Sequence, residues 1–233
     1  MRALAPDFYR RPVLQVAREL IGCTVEHRGA AGVIVETEAY HDSEPACHAF
    51  AGETPRTRIL FGPPGRAYVY RSYGVHAMLN AVCESEGVGA GVLIRALAPT
   101  AGLEQMRGRR ELARQKRGAG PGLRGAGPAL GAAGPALRDE DLCSGPGKLT
   151  QALGIELGEN GSSLAAGPIR ITPARSPWRE ALVVAGPRIG ITCATELPWR
   201  FGVVGDRNVS RPRPRASAAA EPALAARTHA AGR

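Results

Sequence analysis

The chain has 233 residues, 44% of them hydrophobic, which is enough for one large domain or two small ones. Its net charge of +9 lies mostly in residues 107–138, with eight basic residues and one acid, and in residues 211–233, with five arginines and one acid. A polyanionic partner fits this charge, but the two segments alone do not define a basic groove on the folded core.

Membrane and secretion classes are disfavoured. No apolar run reaches the length of a membrane span, and the first residues lack the apolar region of a secretion signal. The five cysteines are widely spaced, odd in number and form no CxxC pair, which predicts reduced thiols. We therefore expect a cytoplasmic protein, associated with the nucleoid if the source is bacterial.

The first half of the chain shows two helical patterns with four strand patterns between them. Residues 11–21 place apolar side chains at helical spacing, with Pro12 in the first turn and Gly22 as a C-terminal cap. Strand patterns follow at 33–37, 67–71, 78–83 and 91–97, and a second helical pattern covers 101–117.

The second half begins with a low-complexity segment. Residues 118–137 are almost only Gly, Ala and Pro, which predicts a flexible loop. Ser144 is a candidate cap for a short helix bearing Lys148. Strand patterns follow at 168–172, 187–193 and 200–204, and the basic tail 211–233 is predicted to be disordered.

This order of elements favours an α+β fold. Strand follows strand from 30 to 97 without the helix that a parallel crossover requires. We predict a single domain over residues 1–210, built around a mostly antiparallel sheet with flanking helices.

The segment VIVETEAY, residues 33–40, raises the first chemical question. Side chains alternate along a strand, so Glu36, Glu38 and Tyr40 share one face. A solvated edge strand would explain the two carboxylates, but the flanking valines argue against exposure. An acid–base pair at a spacing of about 6.5–7 Å would resemble an inverting glycosidase. If the protein is an enzyme, one of the two glutamates is a reasonable general base that takes a proton from water.

Polar residues also interrupt the later apolar strands. Arg95 lies in GVLIRALAP and Asn80 in MLNAV. Buried arginines are almost always paired, so Arg95 is expected to contact Glu36 or Glu38, either as a structural ion pair or to orient a carboxylate. The simpler interpretation of Asn80 is a structural side chain whose hydrogen bonds are satisfied. The more specific interpretation is a side chain that recognises the edge of a nucleobase. His48 lacks partners at metal-ligand spacing.

Tyrosines are concentrated in one short window. Tyr40, Tyr68, Tyr70 and Tyr73 fall within residues 40–73, and Tyr73 precedes Gly74, where a hairpin is expected to turn. Tyr68 is read as a packing residue. For the other three, stacking on a flat ligand competes with packing, because aromatic rings stack on nucleobases by about 1–3 kcal/mol per base.

Several segments together resemble the alkyladenine (3-methyladenine) DNA glycosylases. They occur in family order from about residue 12 to 205 and are VETEAY with a histidine eight residues later, TPRTR, AYVYRSYG, LNAV, LIRALAP and CSGPGKLTQALG. The resemblance implies a curved antiparallel sheet with a protruding β-hairpin. It also implies a monofunctional enzyme of base excision repair that flips alkylated or deaminated purines out of duplex DNA and hydrolyses the N-glycosidic bond.

The resemblance assigns roles residue by residue. Glu38 matches the general base and Arg95 the arginine that holds the attacking water, which leaves Glu36 as a structural neighbour. The residues that match the base pocket are Tyr40, His48, Tyr70, Asn80 and, through its backbone carbonyl, Ile191. Tyr73 matches the side chain that intercalates into DNA. Lys148, Arg56 and Arg58 match positions that contact the DNA backbone.

The expected partner is double-stranded DNA containing a damaged purine, bound by a monomer without metal or cofactor. Two alternatives stay open from the residues alone. A small-molecule nucleosidase or glycoside hydrolase would use Glu36 and Glu38 but would leave Tyr73 unexplained. A non-enzymatic nucleic-acid-binding module would explain the charge and the tyrosines but not Glu38 beside Arg95.

Overall fold

The computed structural model describes residues 1–72, 74–118 and 136–213. The helices are α1 (Pro6–Tyr9), α2 (Val13–Glu19), α3 (Leu103–Gly118), α4 (Asp139–Leu142) and α5 (Pro146–Leu153), with short 3-10 helices at Arg58–Phe61, Leu157–Glu159 and Trp178–Glu180. The strands are β1 (Thr24–His27), β2 (Ala30–His41), β3 (Ala67–Ser72), β4 (His76–Val82), β5 (Ala90–Ala101), β6 (Arg170–Thr172), β7 (Val183–Gly186) and β8 (Arg200–Val203).

All eight strands form one antiparallel sheet. Its main path runs β3-β4-β5-β2-β1-β6, and β8 pairs with both β2 and β7. This confirms the α+β prediction and the curved antiparallel sheet. The strand β2 is bordered by β5 on one side and by β1 and β8 on the other, so the edge-strand explanation for its carboxylates is wrong.

The two long strands β2 and β5 form the centre of the sheet. Residues 33–39 of β2 and 90–98 of β5 are buried throughout. Helix α2 packs on one face of β2, where the Thr37 hydroxyl donates a 2.8 Å hydrogen bond to the Ala17 carbonyl. Because neighbouring side chains of a strand point to opposite faces, Glu36 and Glu38 lie on the other face.

The pairing of β2 with β5 is irregular at one point. The register shifts on both sides of Glu36, so that Arg95 has no direct partner between Ala96 and Ile94. Such bulges bend a strand and redirect its side chains. The irregularity lies where Arg95 and Glu36 meet.

The strands β3 and β4 form the expected hairpin. Ser72 pairs with His76, and Gly74 has a φ of +70°, a conformation that favours glycine. Val75 at this turn is 57% exposed, whereas the adjoining Ala77 carbonyl accepts a 2.8 Å hydrogen bond from Thr150 of α5. Tyr73 lies outside the described residues.

Two local predictions were wrong. Residues 187–193 form a loop, and the strand precedes them at Val183–Gly186. Pro187 interrupts the ladder, and the Ile189 amide hydrogen bonds to a side chain instead of a strand. The N-cap of α5 is Gly145 rather than Ser144, whose hydroxyl accepts a bond from Lys148.

Other predictions fall on undescribed positions. Most of the 118–137 loop and of the 211–233 tail lies outside the described residues, and the domain boundary at 210 stays a prediction. None of the helices in the part of the chain that the structure describes is long and apolar enough to cross a membrane.

Candidate active site

One arginine joins the two glutamates of β2. The Arg95 side chain reaches across from β5 and donates from Nε to Glu36 Oε1 at 2.9 Å and from Nη1 to Glu38 Oε2 at 3.0 Å. All three residues are buried. The structure therefore brings together the carboxylates and the guanidinium that the sequence predicted to meet, and Arg95 contacts both glutamates.

The Glu36 carboxylate accepts four hydrogen bonds. Besides Arg95, its Oε1 accepts bonds from Arg200 Nε at 2.6 Å and from the Ser210 hydroxyl at 2.8 Å, and its Oε2 accepts a bond from the Ser210 amide at 2.7 Å. Two arginines and one serine therefore hold this carboxylate in place.

The Glu38 carboxylate has one acceptor position open. Its Oε2 accepts bonds from Arg95 and from the Tyr40 hydroxyl at 2.9 Å, whereas its Oε1 accepts only the Ile189 amide at 2.7 Å. One lone pair of Oε1 thus stays available. Two arginines pair with Glu36, whereas Arg95 is the one arginine that pairs with Glu38 among the described residues.

The two environments separate the pKa values of these groups. Burial acts to raise both, but at Glu36 the charges of Arg95 and Arg200 and the Ser210 bonds outweigh it and the pKa is lowered. At Glu38 burial outweighs Arg95, the Ile189 amide and the Tyr40 hydroxyl, and the pKa is raised. A raised carboxyl pKa is typical of a group that takes up a proton.

A cavity of about 700 Å³ opens in front of this cluster. Most of the predicted site residues line it: Tyr40, His48, Arg56, Tyr70, Asn80, Arg95 and Ile191. Glu38 is completely buried just behind the wall, and its three partners Arg95, Tyr40 and Ile189 line the cavity. Water that reaches Glu38 must therefore lie among these three residues.

Aromatic side chains build one wall of the cavity. Tyr70 stacks on Tyr68 with ring centroids 5.3 Å apart, and the His48 ring meets Tyr70 edge-on at 4.6 Å. His48 Nδ1 lies 3.2 Å from the Tyr68 hydroxyl. Tyr68 is almost completely buried, in agreement with its predicted packing role, and it supports Tyr70.

Asn80 is fixed from the neighbouring strand. Its Nδ2 donates a 3.1 Å bond to the carbonyl of Tyr68, directly opposite in the β3–β4 pairing. The side chain is buried and borders the cavity. Asn80 thus combines the structural hydrogen bond and a position where it can meet a ligand edge.

The loop after β7 contributes more than the sequence indicated. Ile191 lines the cavity, but the backbone contact to Glu38 comes from Ile189, two residues earlier. Arg188 is completely buried, pairs with Glu44 through two nitrogens at 2.6 and 2.8 Å, and places its guanidinium 4.7 Å from the Tyr40 ring centroid. Neither Arg188 nor Glu44 was predicted as a site residue.

Comparison with known proteins decides the family. The model of the family described as methylpurine-DNA glycosylase matches residues 7–207. A protein of Rhodopseudomonas palustris named "Putative 3-methyladenine DNA glycosylase" is 50% identical over 208 residues, which are 89% of this chain and 88% of that protein. Proteins with the same name from Bradyrhizobium diazoefficiens and Nitrosospira multiformis are 48% and 45% identical, covering 92% and 85% of this chain and 94% and 89% of theirs.

The chain belongs to the methylpurine-DNA glycosylase family. The resemblance drawn from the sequence is thereby confirmed, and with it a DNA glycosylase, a hydrolase of base excision repair. The two alternatives, a small-molecule hydrolase and a binding module without activity, are not needed.

The glycosylase site also depends on two residues that sequence reasoning missed. Arg200 and Ser210 together supply three of the four bonds to Glu36. Arg200 is a buried cation in the strand WRFGVV, the same signal that identified Arg95. Ser210 gives no such signal, because an isolated serine near a proline-rich tail is ordinary.

The predicted DNA-backbone residues lie on two segments of the chain. Lys148 is half-buried on α5 beside a second, basic cavity, and Arg58 is exposed at the start of a 3-10 helix. Arg56 is at the rim of the main cavity, with its guanidinium 5.6 Å from the Tyr70 ring centroid. Within the described ranges, no group of three His, Cys, Asp or Glu side chains is arranged to hold a metal ion.

Proposed function

We propose that this glycosylase acts as a monomer on double-stranded DNA and hydrolyses the N-glycosidic bond of a damaged purine nucleotide flipped into the main cavity. Glu38 is the general base for the attacking water. The observation that carries this proposal is the difference between the two carboxylates: Glu36 is held by two arginines and has a lowered pKa, whereas Glu38 has one arginine, a raised pKa and three partners that all line the main cavity.

The flipped base occupies the space between Tyr40 and Tyr70, which both line the cavity and offer ring faces for stacking. His48 hydrogen bonds to the base, and Asn80 excludes normal guanine through its exocyclic amine. Tyr73 at the hairpin tip enters the minor groove and fills the gap that the flipped nucleotide leaves.

In the chemical step, water attacks C1′ of the sugar while Glu38 accepts its proton. The C1′–N bond breaks, and its electron pair leaves with the purine. Arg95 holds the Glu38 carboxylate in place, and the Ile191 carbonyl is a further contact for the water. Because alkylation makes many purines cationic and good leaving groups, no second catalytic carboxylate is required.

Lys148 and Arg58, outside the main cavity, and Arg56, at its rim, contact phosphates of the DNA backbone. Such contacts fix the register of a protein on DNA and make binding depend on salt. They do not read sequence, as expected for an enzyme that must find damage anywhere.

The test uses duplex DNA with one hypoxanthine or 1,N6-ethenoadenine, followed by treatment with alkali. We expect strand cleavage only after alkali, and its loss in Glu38→Gln. Glu36→Gln is the matched variant, and any activity that its folded fraction retains should follow the parent's pH profile. Inactivity on both lesions and on methylated DNA would refute the proposal. Cleavage without alkali would refute monofunctional action, and an active Glu38→Gln would refute the assignment of the base.

A further inference from the structure

The rim of the main cavity carries an unbalanced positive charge at Arg56. This arginine lines the cavity beside Tyr70, and it has no ion-pair partner among the residues that the structure describes. Its backbone is fixed by the next residue: the buried Thr57 hydroxyl donates to the Gly52 carbonyl at 3.1 Å and accepts from the Thr54 amide at 2.8 Å. Arg56 itself is exposed at the rim, so these bonds fix the point from which its side chain starts.

The carboxylates around the cavity are already neutralised. Glu36 is paired with Arg95 and Arg200, Glu38 with Arg95, and Glu44 with Arg188. Arg56 and Arg71 both line the main cavity and belong to none of these pairs. Their charges are the ones that the pairs leave uncompensated, and Arg56 is the one whose guanidinium lies 5.6 Å from the Tyr70 ring centroid.

The two aromatic walls have also lost part of their attraction for cations. Arg188 lies 4.7 Å from the Tyr40 ring centroid and does not line the cavity, so it covers the ring face that points away from the ligand. The Arg56 guanidinium lies near the Tyr70 ring and lines the same cavity. A ring that already faces one cation stabilises a second one less, because the two like charges repel each other.

The other titratable group of the wall adds no negative charge. Burial lowers the pKa of His48, and the charge of Arg56 lowers it further. Both effects favour the neutral form of the ring.

We propose that Arg56 is a specificity-determining residue that favours neutral damaged purines, such as hypoxanthine, over cationic ones, such as 7-methylguanine. This inference rests on the proposed function of the cavity. Two unit charges about 6 Å apart repel each other in a partly solvated site with an effective dielectric constant of about 40–80. This repulsion corresponds to a rate about 3- to 10-fold lower for a cationic base than for a neutral one.

The experiment compares single-turnover base release from duplexes that contain hypoxanthine, 1,N6-ethenoadenine or 7-methylguanine. In Arg56→Gln, the ratio of the 7-methylguanine rate to each neutral-lesion rate should rise about 3- to 10-fold. Arg56→Lys keeps the charge and should keep the parent's ratio. Arg58→Gln removes a neighbouring exposed arginine that does not line the cavity, and it should leave the ratio unchanged even where DNA binding weakens.

The outcomes are separable. If Arg56→Gln slows release of all three lesions by the same factor, Arg56 is only a backbone contact and the inference is overturned. An equal ratio shift in Arg56→Lys would overturn the role of charge. Release of no lesion by the parent protein would refute the proposed function and this inference with it.

Discussion

The Tyr40 hydroxyl donates a 2.9 Å hydrogen bond to Oε2 of Glu38, so the same side chain that forms a wall of the cavity also sets the proton affinity of the proposed base. Burial and the neighbouring Glu38 charge raise the pKa of Tyr40, which keeps this hydroxyl protonated. Binding of the base and activation of the water are thus linked through one residue.

Tyr40→Phe should shift the acidic limb of the pH–rate profile to higher pH. The acidic limb reports the deprotonation of Glu38. Because the hydrogen bond from Tyr40 lowers the pKa of Glu38, loss of this bond raises that pKa. A hydrogen bond to a charged group contributes about 1.5–3 kcal/mol, which corresponds to about 1–2 pH units. Single-turnover rates measured from about pH 4 to about pH 9 give the shift.

Tyr70→Phe is the matched control for this profile. Tyr70 forms the opposite wall but makes no hydrogen bond to Glu38 among the described contacts. Its variant should keep the midpoint of the acidic limb. An equal shift in both variants would show that the limb reports base binding instead of Glu38.

Glu36→Gln should destabilise the fold in a pH-dependent manner. The folded pKa of Glu36 is lowered, so its contribution is present above the unfolded value of about 4.3 and is lost as the pH falls through the folded pKa. Near pH 7, removal of its charge leaves Arg200 and Arg95 without full compensation, at a cost of about 3–5 kcal/mol in unfolding free energy. Below the folded pKa, the difference between variant and parent should shrink.

Denaturant unfolding at several pH values measures this difference, and Glu26→Gln is its control. Glu26 is exposed on β1, next to β2 in the sheet. Its replacement should change the unfolding free energy by less than about 0.5 kcal/mol at any pH. A pH-independent loss in Glu36→Gln would mean that packing, and not the ion pairs, sets the effect.

Gly147→Ala should disturb the turn end of the hairpin. A Cβ atom at Gly147 would lie 2.7 Å from Cγ of His76, the first residue of β4, so the hairpin or α5 must move. We expect a loss of about 1–3 kcal/mol in unfolding free energy and weaker binding to lesion-containing duplex DNA. Thermal unfolding and fluorescence anisotropy measure the two effects.

Gly108→Ala is the matched substitution in α3. No atom lies within 4 Å of the added Cβ, and alanine favours a helix over glycine by about 0.5–1 kcal/mol. This variant should therefore be slightly more stable than the parent and bind DNA equally well. Similar behaviour of both variants would rule out a specific contact at His76.

Cys193 should be the one cysteine that reacts rapidly in the native protein. All five thiols are free, but the other four are buried, and burial raises the pKa of Cys23 to about 11 and those of Cys47 and Cys143 to about 12. A native thiol titration should show one fast equivalent, which is lost in Cys193→Ser. Because Cys193 lines the main cavity, a bulky maleimide there should also slow base release. Two or more fast thiols would contradict the described burial.

Much of the fold followed from local patterns in the sequence. The strands β2, β3, β4 and β5 and the helices α2 and α3 were predicted near their observed places, because their periodicity reports burial directly. The short elements β1, β7 and α1 gave no such pattern, since three or four residues are too few to define a period.

For the site, the sequence by itself determined which residues carry chemistry: two carboxylates on one strand face, a buried arginine and a group of tyrosines. It did not decide between Glu36 and Glu38 except through family resemblance. Only the tertiary structure separated them, because Arg200, Ser210 and Ile189 reach β2 from positions more than 150 residues later in the chain. Proton affinity depends on partners in space, and those partners are brought together only by folding.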